Sequence, residues 1–140
     1  MARVLLIYPR PNRITFDTTH TINLGLAYLA AALERRGHSV VVHDFNLDAD
    51  HLFPDRARYA DFVGVYTITA AHKAALAIAQ RIKTQLHADC QVVMGGPHPP
   101  SRPGDAVASP WVDYVAIGEG DKLICDLADQ LDDVGACHQL

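Results

Sequence analysis

Five short apolar runs are spaced along this chain, and the stretches between them limit what the runs can build. They are Arg3–Tyr8, Ser39–His43, Phe62–Ile68, Gln91–Met94 and Asp113–Ile117. The first is almost wholly apolar, as expected of a strand covered on both faces of a parallel sheet. Leu24–Arg36 reads as a helix rich in Leu and Ala, with Gly37 placed as its C′ stop. Apolar residues nearly encircle that helix, which predicts deep burial. Ala70–Leu86 carries Ala71, Ala74, Ala75, Ile78, Ala79, Ile82 and Leu86 at helical spacing. Asp121–Leu131 reads as the last helix, with Glu119 and Asp121 near its positive N-terminal end. Asp44–Asp61 is irregular, with at most one short helix near Pro54–Ala60, and Pro99–Pro110 is a loop with at most one turn at Asp105–Ala108.

Strands alternating with helices call for right-handed crossovers and a parallel sheet with helices on both faces. The reading is therefore an α/β chain. It predicts a three-layer, flavodoxin-like (Rossmann-type) sandwich on a five-stranded parallel sheet, order 2-1-3-4-5. A chain of 140 residues suits one domain, taken here as 1–131, with 132–140 as a tail. The net charge of −4, mixed along the chain, gives no basic surface for nucleic acid or anionic lipid. No apolar run approaches the roughly 20 residues that cross a bilayer. The N-terminus lacks a signal-peptide pattern, so the expected location is cytoplasmic.

In this topology ligands bind at the carboxyl ends of the strands, at the switch point between strands 1 and 3. The loops at that edge are rich in special residues. Gly95-Gly96-Pro97-His98-Pro99 follows the fourth strand and Gly118-Glu119-Gly120-Asp121 follows the fifth. Glycine leaves no side chain to hold a ligand away, and proline fixes the loop. Such an edge suits something flat or phosphate-bearing. The first loop, residues 9–23, far exceeds the roughly 2–6 residues usual between a strand and its helix. It carries neither G-x-G-x-x-G nor a G-x-x-x-x-G-K-[ST] phosphate loop, which argues against a nicotinamide dinucleotide site and against an ATPase. The third strand ends in Tyr66-Thr67-Ile68-Thr69, offering hydroxyls where a receiver domain needs a phosphate-accepting aspartate. Thr67 and Thr69 suit ligand contact or capping of the next helix.

Cys90, Cys125 and Cys137 are odd in number and widely spaced, so they suggest neither a disulfide framework nor a zinc site. Cys90 and Cys125 read as small core residues. Of eight histidines, His20, His72 and His98 fall near the expected crevice. No metal ligand is assigned among them.

Several phrases occur together in order: Val4-Leu5-Leu6-Ile7-Tyr8-Pro9, Leu24-Gly25-Leu26-Ala27-Tyr28-Leu29-Ala30-Ala31, Gly37-His38-Ser39-Val40, Gly95-Gly96-Pro97-His98-Pro99 and Val112–Asp121. As a set they resemble the N-terminal cobalamin-binding domain of the cobalamin-dependent radical S-adenosylmethionine enzymes. The resemblance implies a corrin across the C-terminal edge of the sheet, with the nucleotide tail descending into the crevice. It implies contacts from Pro9, Arg10 and Pro11 in the first loop, Gly25 in the first helix, and Thr67 and Thr69 after the third strand. It also implies contacts from Gly95, Gly96, Pro97 and His98, and from Gly118, Glu119 and Gly120.

Two departures refine the expectation. Related mutase-type domains carry D-x-H-x-x-G, whose His takes the lower position at cobalt. Here Asp17-Thr18-Thr19-His20 has one residue too many and Gly25 comes two residues late. The expected cofactor is therefore cobalamin held base-off, without His20 at the metal. A radical enzyme also needs C-x-x-x-C-x-x-C for its iron–sulfur cluster, and the three cysteines cannot form it. The chain is expected to be non-catalytic alone and to present cobalamin to a radical S-adenosylmethionine catalytic domain, in the same parent chain or a partner, such as a methyltransferase or cyclase. The alternative is a cobalamin-free interaction or structural domain of such a protein. A flavin carrier is a weaker reading, because the first loop lacks a run of hydroxyls for the flavin phosphate and Trp111 is the lone tryptophan.

Overall fold

The computed structural model describes residues 1–10, 24–67, 71–96 and 109–116, and a last helix at 120–138 with its side chains at 122–131. The elements in order are β1 (Arg3–Tyr8), α1 (Leu24–Arg35), β2 (Ser39–Asp44), α2 (Phe53–Tyr59), β3 (Phe62–Tyr66), α3 (His72–Arg81), β4 (Gln91–Gly95), β5 (Tyr114–Val115) and α4 (Gly120–His138). All pairings are parallel, and the strands lie in the order β2-β1-β3-β4-β5. This is the flavodoxin-like sandwich expected from the alternation of runs. No helix of the described residues is long and apolar enough to cross a membrane.

Successive strand residues point to opposite faces, so each strand feeds two cores. Leu5 and Ile7 of β1, Val63 and Val65 of β3, and Val92 and Met94 of β4 face α2 and α3, where Phe53, Ala57, Ala75, Ala79 and Ile82 meet them. Val4 and Leu6, Phe62, and Val93 face α1 and α4, where Leu26, Leu33, Ile124, Cys125 and Ala128 meet them. Each fully buried aliphatic side chain here contributes about 1.5–3 kcal/mol. Cys90 and Cys125 both sit in these cores as free thiols. Burial pushes the Cys90 thiol up to about 12, far from any reactive thiolate.

Gly37 ends α1 as its position predicted. Its φ is +85°, the Gly37 N–H donates to the Glu34 carbonyl, and the His38 N–H reaches back to the Leu33 carbonyl. That pair of bonds is a Schellman stop. Side chains then tie this end of α1 to α4. The Ala2 N–H donates to His38 Nδ1 at 3.1 Å, so the ring proton is assigned to Nε2, which donates to Asp129 at 2.7 Å. Arg36 bonds Asp126 at 2.9 Å and Asp129 at 2.8 Å. His38 first, then Arg36, hold the Asp129 carboxyl below the usual carboxylate range.

Some boundaries move. Helix α1 is not deeply buried: only Leu26 and Leu33 are covered, while Leu24 and Tyr28 are 68% and 73% exposed. A helix lying on one sheet face can cover only one stripe of its surface, however apolar the rest. Strand β3 ends at Tyr66, β4 continues to Gly95, β5 shrinks to two residues, and α4 runs past Leu131 to His138. The long helix expected at 70–86 is α-helical only over His72–Arg81, and its last turn, Ile82–Leu86, widens to π geometry. The turn expected at Asp105–Ala108 lies outside the described residues.

Candidate functional site

Arg36 and His38 pin the C-terminal end of α1 to the middle of α4, and toward the N-terminal ends of both helices a cleft opens at the carboxyl ends of β1, β3 and β4. Its volume is about 310 Å³. Leu6, Gly64 and Val93 form the floor. Gly25, Leu26, Tyr28 and Leu29 of α1 form one wall, Ile124 of α4 the other, and Gly95, Gly96 and Ala116 the strand-end rim. No charged side chain faces it among the described residues.

Small residues make this space. A Cβ on Gly64 would lie 2.9 Å from Leu6 Cδ2 and 3.1 Å from Ile124 Cδ1, so even one methyl group would press into the cleft walls. A Cβ on Gly95 would meet only the Ala116 Cβ, at 3.6 Å. Gly96 has a different task. Its φ is +104°, and a Cβ there would lie 2.7 Å from the Thr67 carbonyl oxygen and 3.1 Å from the Thr67 nitrogen. Glycine is needed for the β4 loop to cross tightly over the end of β3. The Thr67 N–H donates to the Gly95 carbonyl at 2.8 Å, closing the two strand ends together. Thr67 itself is fully buried below this junction.

Of the residues proposed from sequence, Gly25, Gly95 and Gly96 line the cleft. Thr67 supports its rim and Pro9 is buried at the end of β1. Arg10 turns elsewhere, donating to the Phe45 carbonyl at 2.6 Å and lying 3.5 Å from Asp50, so it fastens the loop after β2. Gly120 is the first residue of α4. Pro11, His20, Thr69, Pro97, His98, Gly118 and Glu119 lie outside the described residues. His72 opens α3, on the opposite face of the sheet. Among the described residues no group of three His, Cys, Asp or Glu side chains gathers as a metal site.

Sequence reasoning missed Gly64 and Ile124. The signal for Gly64 was a single glycine inside the apolar run Phe62-Val63-Gly64-Val65-Tyr66, which marks a close approach in a strand. It also missed a smaller hollow of about 230 Å³ across α1, bounded by Tyr8, Ala27, Val42 and Leu47. Tyr8 and Tyr66, edge to face with ring centres 5.6 Å apart, stand between the two. Burial, then the neighbouring Tyr66 and Asp44, push the Tyr8 hydroxyl above its ordinary range. Asp44 and Asp48 beside the hollow are occupied by the turn itself. Asp44 Oδ1 accepts from the Asn46 backbone and side chain at 2.8 and 3.0 Å, and Asp48 accepts from the Asp44 N–H at 2.8 Å.

A protein-family model, the B12 binding domain, matches residues 15–128, which is most of the chain. The chain belongs to the B12-binding domain family. No curated protein matches the sequence. Among solved structures this B12-binding domain is similar to a response regulator from Burkholderia pseudomallei, with 17% identity and a TM-score of 0.60 over 99% of this chain and 73% of that one. A response regulator from Burkholderia multivorans gives 17% identity and a TM-score of 0.59 over 94% of this chain and 96% of that one. At that identity the likeness concerns the fold alone. The residue after β3 is Thr67, not an aspartate.

Proposed function

We propose that this domain binds a cobalamin-type corrinoid with its nucleotide tail in the α1/α4 cleft and presents the cofactor to a radical S-adenosylmethionine catalytic domain, in the same parent chain or a partner. The observation that carries the reading is the glycine-floored apolar cleft at the strand ends of a chain belonging to the B12-binding family. A space of about 310 Å³ is at the small end of ligand cavities, too small for a corrin macrocycle but suited to a heterocyclic base and sugar. The residues present fit the group. Gly64 and Gly95 leave the room, Leu6, Leu26, Leu29, Val93 and Ile124 exclude water from it, and Gly96 holds the rim in shape. When bound, the corrinoid supplies methyl-transfer or one-electron chemistry to the domain it faces.

The reading includes a base-off cofactor without His20 at cobalt. Electron paramagnetic resonance on the cob(II)alamin form tests that part: nitrogen triplet splitting that disappears in His20→Ala contradicts it, and its absence from the wild-type spectrum supports it. Binding itself is tested by mixing the protein with hydroxocobalamin, passing it through gel filtration, and recording the visible spectrum. A corrin band co-eluting with micromolar protein is expected, and its loss would sink the proposal.

A second reading is favoured by one feature, the exposed apolar first turns of α1, where Leu24 and Tyr28 face solvent. A cobalamin-free platform for a partner would use such a surface. The two separate in a thermal melt, since a ligand of the native state must raise the melting temperature. No shift with excess cobalamin favours the platform.

A further inference from the structure

We infer that the cleft discriminates among corrinoids by the base that ends their nucleotide tail, accepting a benzimidazole-type base and rejecting a purine. The inference rests on the reading above that the tail enters this cleft. Its basis is what the walls lack. Among the described residues lining the cleft, the only side-chain polar atoms are the hydroxyls of Tyr28 and Tyr66, and Tyr28 is 73% exposed. Leu6, Leu26, Val93 and Ile124 are buried and purely apolar.

The backbone of the floor, and part of that of the rim, is committed to the sheet. Gly64 pairs with Leu6 on one side and Val93 on the other. The Gly95 carbonyl accepts the Thr67 N–H at 2.8 Å, and the Met94 carbonyl accepts the Ala116 N–H at 2.8 Å. A base that reaches the floor meets the hydrocarbon of Leu6, Val93 and Ile124 and peptide groups already paired within the sheet.

Adenine brings several ring nitrogens and an amino group, each hydrogen-bonded in water. Left unpaired inside the cleft, each weakens binding by about tenfold or more. A dimethylbenzimidazole freed from cobalt brings one unpaired nitrogen and two methyl groups, and burial of the methyl groups favours binding. A buried polar group left without a partner is the strongest way for a site to reject a ligand, so the discrimination comes from exclusion rather than from a matching contact.

Equilibrium dialysis of the whole chain against cobalamin, an adenine-based corrinoid and cobinamide (which has no nucleotide) tests this without any catalytic assay. Cobalamin is expected to bind tightest, with the adenine form and cobinamide each at least tenfold weaker. An adenine form within tenfold of cobalamin overturns the inference, and cobinamide within tenfold shows that the tail does not use the cleft. Retention of none of the three would instead remove the cofactor reading itself. Gly95→Val ties the effect to the cleft. It should bring cobalamin down to the level of the adenine form, and a ratio that survives in it would place the discrimination elsewhere and overturn the assignment.

Discussion

The same three strands present two faces that are filled by different rules. Toward α2 and α3 the sheet offers Leu5, Ile7, Val63, Val65, Val92 and Met94, and the helices answer with Phe53 and Ile82. Phe53 stacks obliquely with Phe45 at 5.0 Å and with His43 at 5.5 Å, so that face is closed by large rings. Toward α1 and α4 the central strand offers Gly64, and the rim is glycine and alanine. Around Phe53 and Ile82 the first face is close-packed, as protein interiors generally are, and its open hollow of about 340 Å³ lies toward the β2 edge beside Leu5, Val41 and Tyr59. The second gives up part of its packing for a cleft. On the proposed reading the difference divides stability from binding, and substitutions on each side should separate the two properties.

The largest effect belongs to the packed face. Phe53 is fully buried between two neighbouring rings, so Phe53→Ala removes its burial and leaves a void. A loss of about 3–5 kcal/mol is expected in urea unfolding. A loss below about 1 kcal/mol would mean that this face is not the one that holds the fold.

Next comes the rim of the open face. Valine at position 96 must adopt φ near +104° with its Cβ 2.7 Å from the Thr67 carbonyl oxygen. Strain at such a position is of order 1–3 kcal/mol, and the displaced loop adds to it. Gly96→Val should therefore lower stability by at least about 2 kcal/mol, visible in the same unfolding experiment. It is not a clean probe of ligand contact, because the side chain meets the protein's own backbone first. Should it melt like wild type, the tight crossing of the β4 loop over Thr67 is absent in solution.

How far the chain could be read in advance differs between these faces for the same physical reason. The strand order and the helical alternation follow from runs and spacing, which are local, and they hold. The glycines after β4 were legible as punctuation, but which of them lines a cleft and which relieves a clash depends on Thr67, far away in sequence. The burial of α1 was misread because periodicity reports which residues are apolar, not how much neighbour exists to cover them. Leu24 and Tyr28 remain exposed, with no element of the described residues covering them. His43 carried no signal at all. Its burial arises only when Phe45, Phe53 and Arg56 close around the edge strand.

That histidine gives the third prediction, on the packed side. The Arg56 guanidinium donates to His43 Nδ1 at 2.9 Å, leaving the proton on Nε2, which is buried without a partner among the described residues. Burial first, and then the Arg56 charge, lower the His43 pKa from its ordinary 6.5. The unfolded chain thus binds a proton more readily than the folded one. Stability is fully present above pH 6.5 and falls as the pH drops through that value toward the folded pKa, by at most about 1.4 kcal/mol per pH unit. Melts from pH 7.5 to 5 should show that decline in wild type and less of it in His43→Gln. An equal decline in both would assign it to other groups.

The smallest effect on stability should accompany a clear effect on binding, and it returns to the floor of the open face. In Gly64→Ala the new methyl group meets Leu6 Cδ2 at 2.9 Å and Ile124 Cδ1 at 3.1 Å. Both contacts are the far ends of flexible side chains, and both side chains border empty space into which they can swing. Crowding of a closed core is typically worth about 1–3 kcal/mol, but here the cleft absorbs it. Alanine also restricts the unfolded chain, which returns about 0.4–1 kcal/mol. The net change in stability should stay within about 1 kcal/mol of zero. The cleft, however, becomes narrower at its floor, and anything lying there loses its place. Cobalamin affinity should fall at least tenfold by equilibrium dialysis while the melting temperature scarcely moves. Wild-type affinity together with wild-type stability would show that the floor between Leu6 and Ile124 is not where the ligand rests, and that the looser packing of this face needs another explanation.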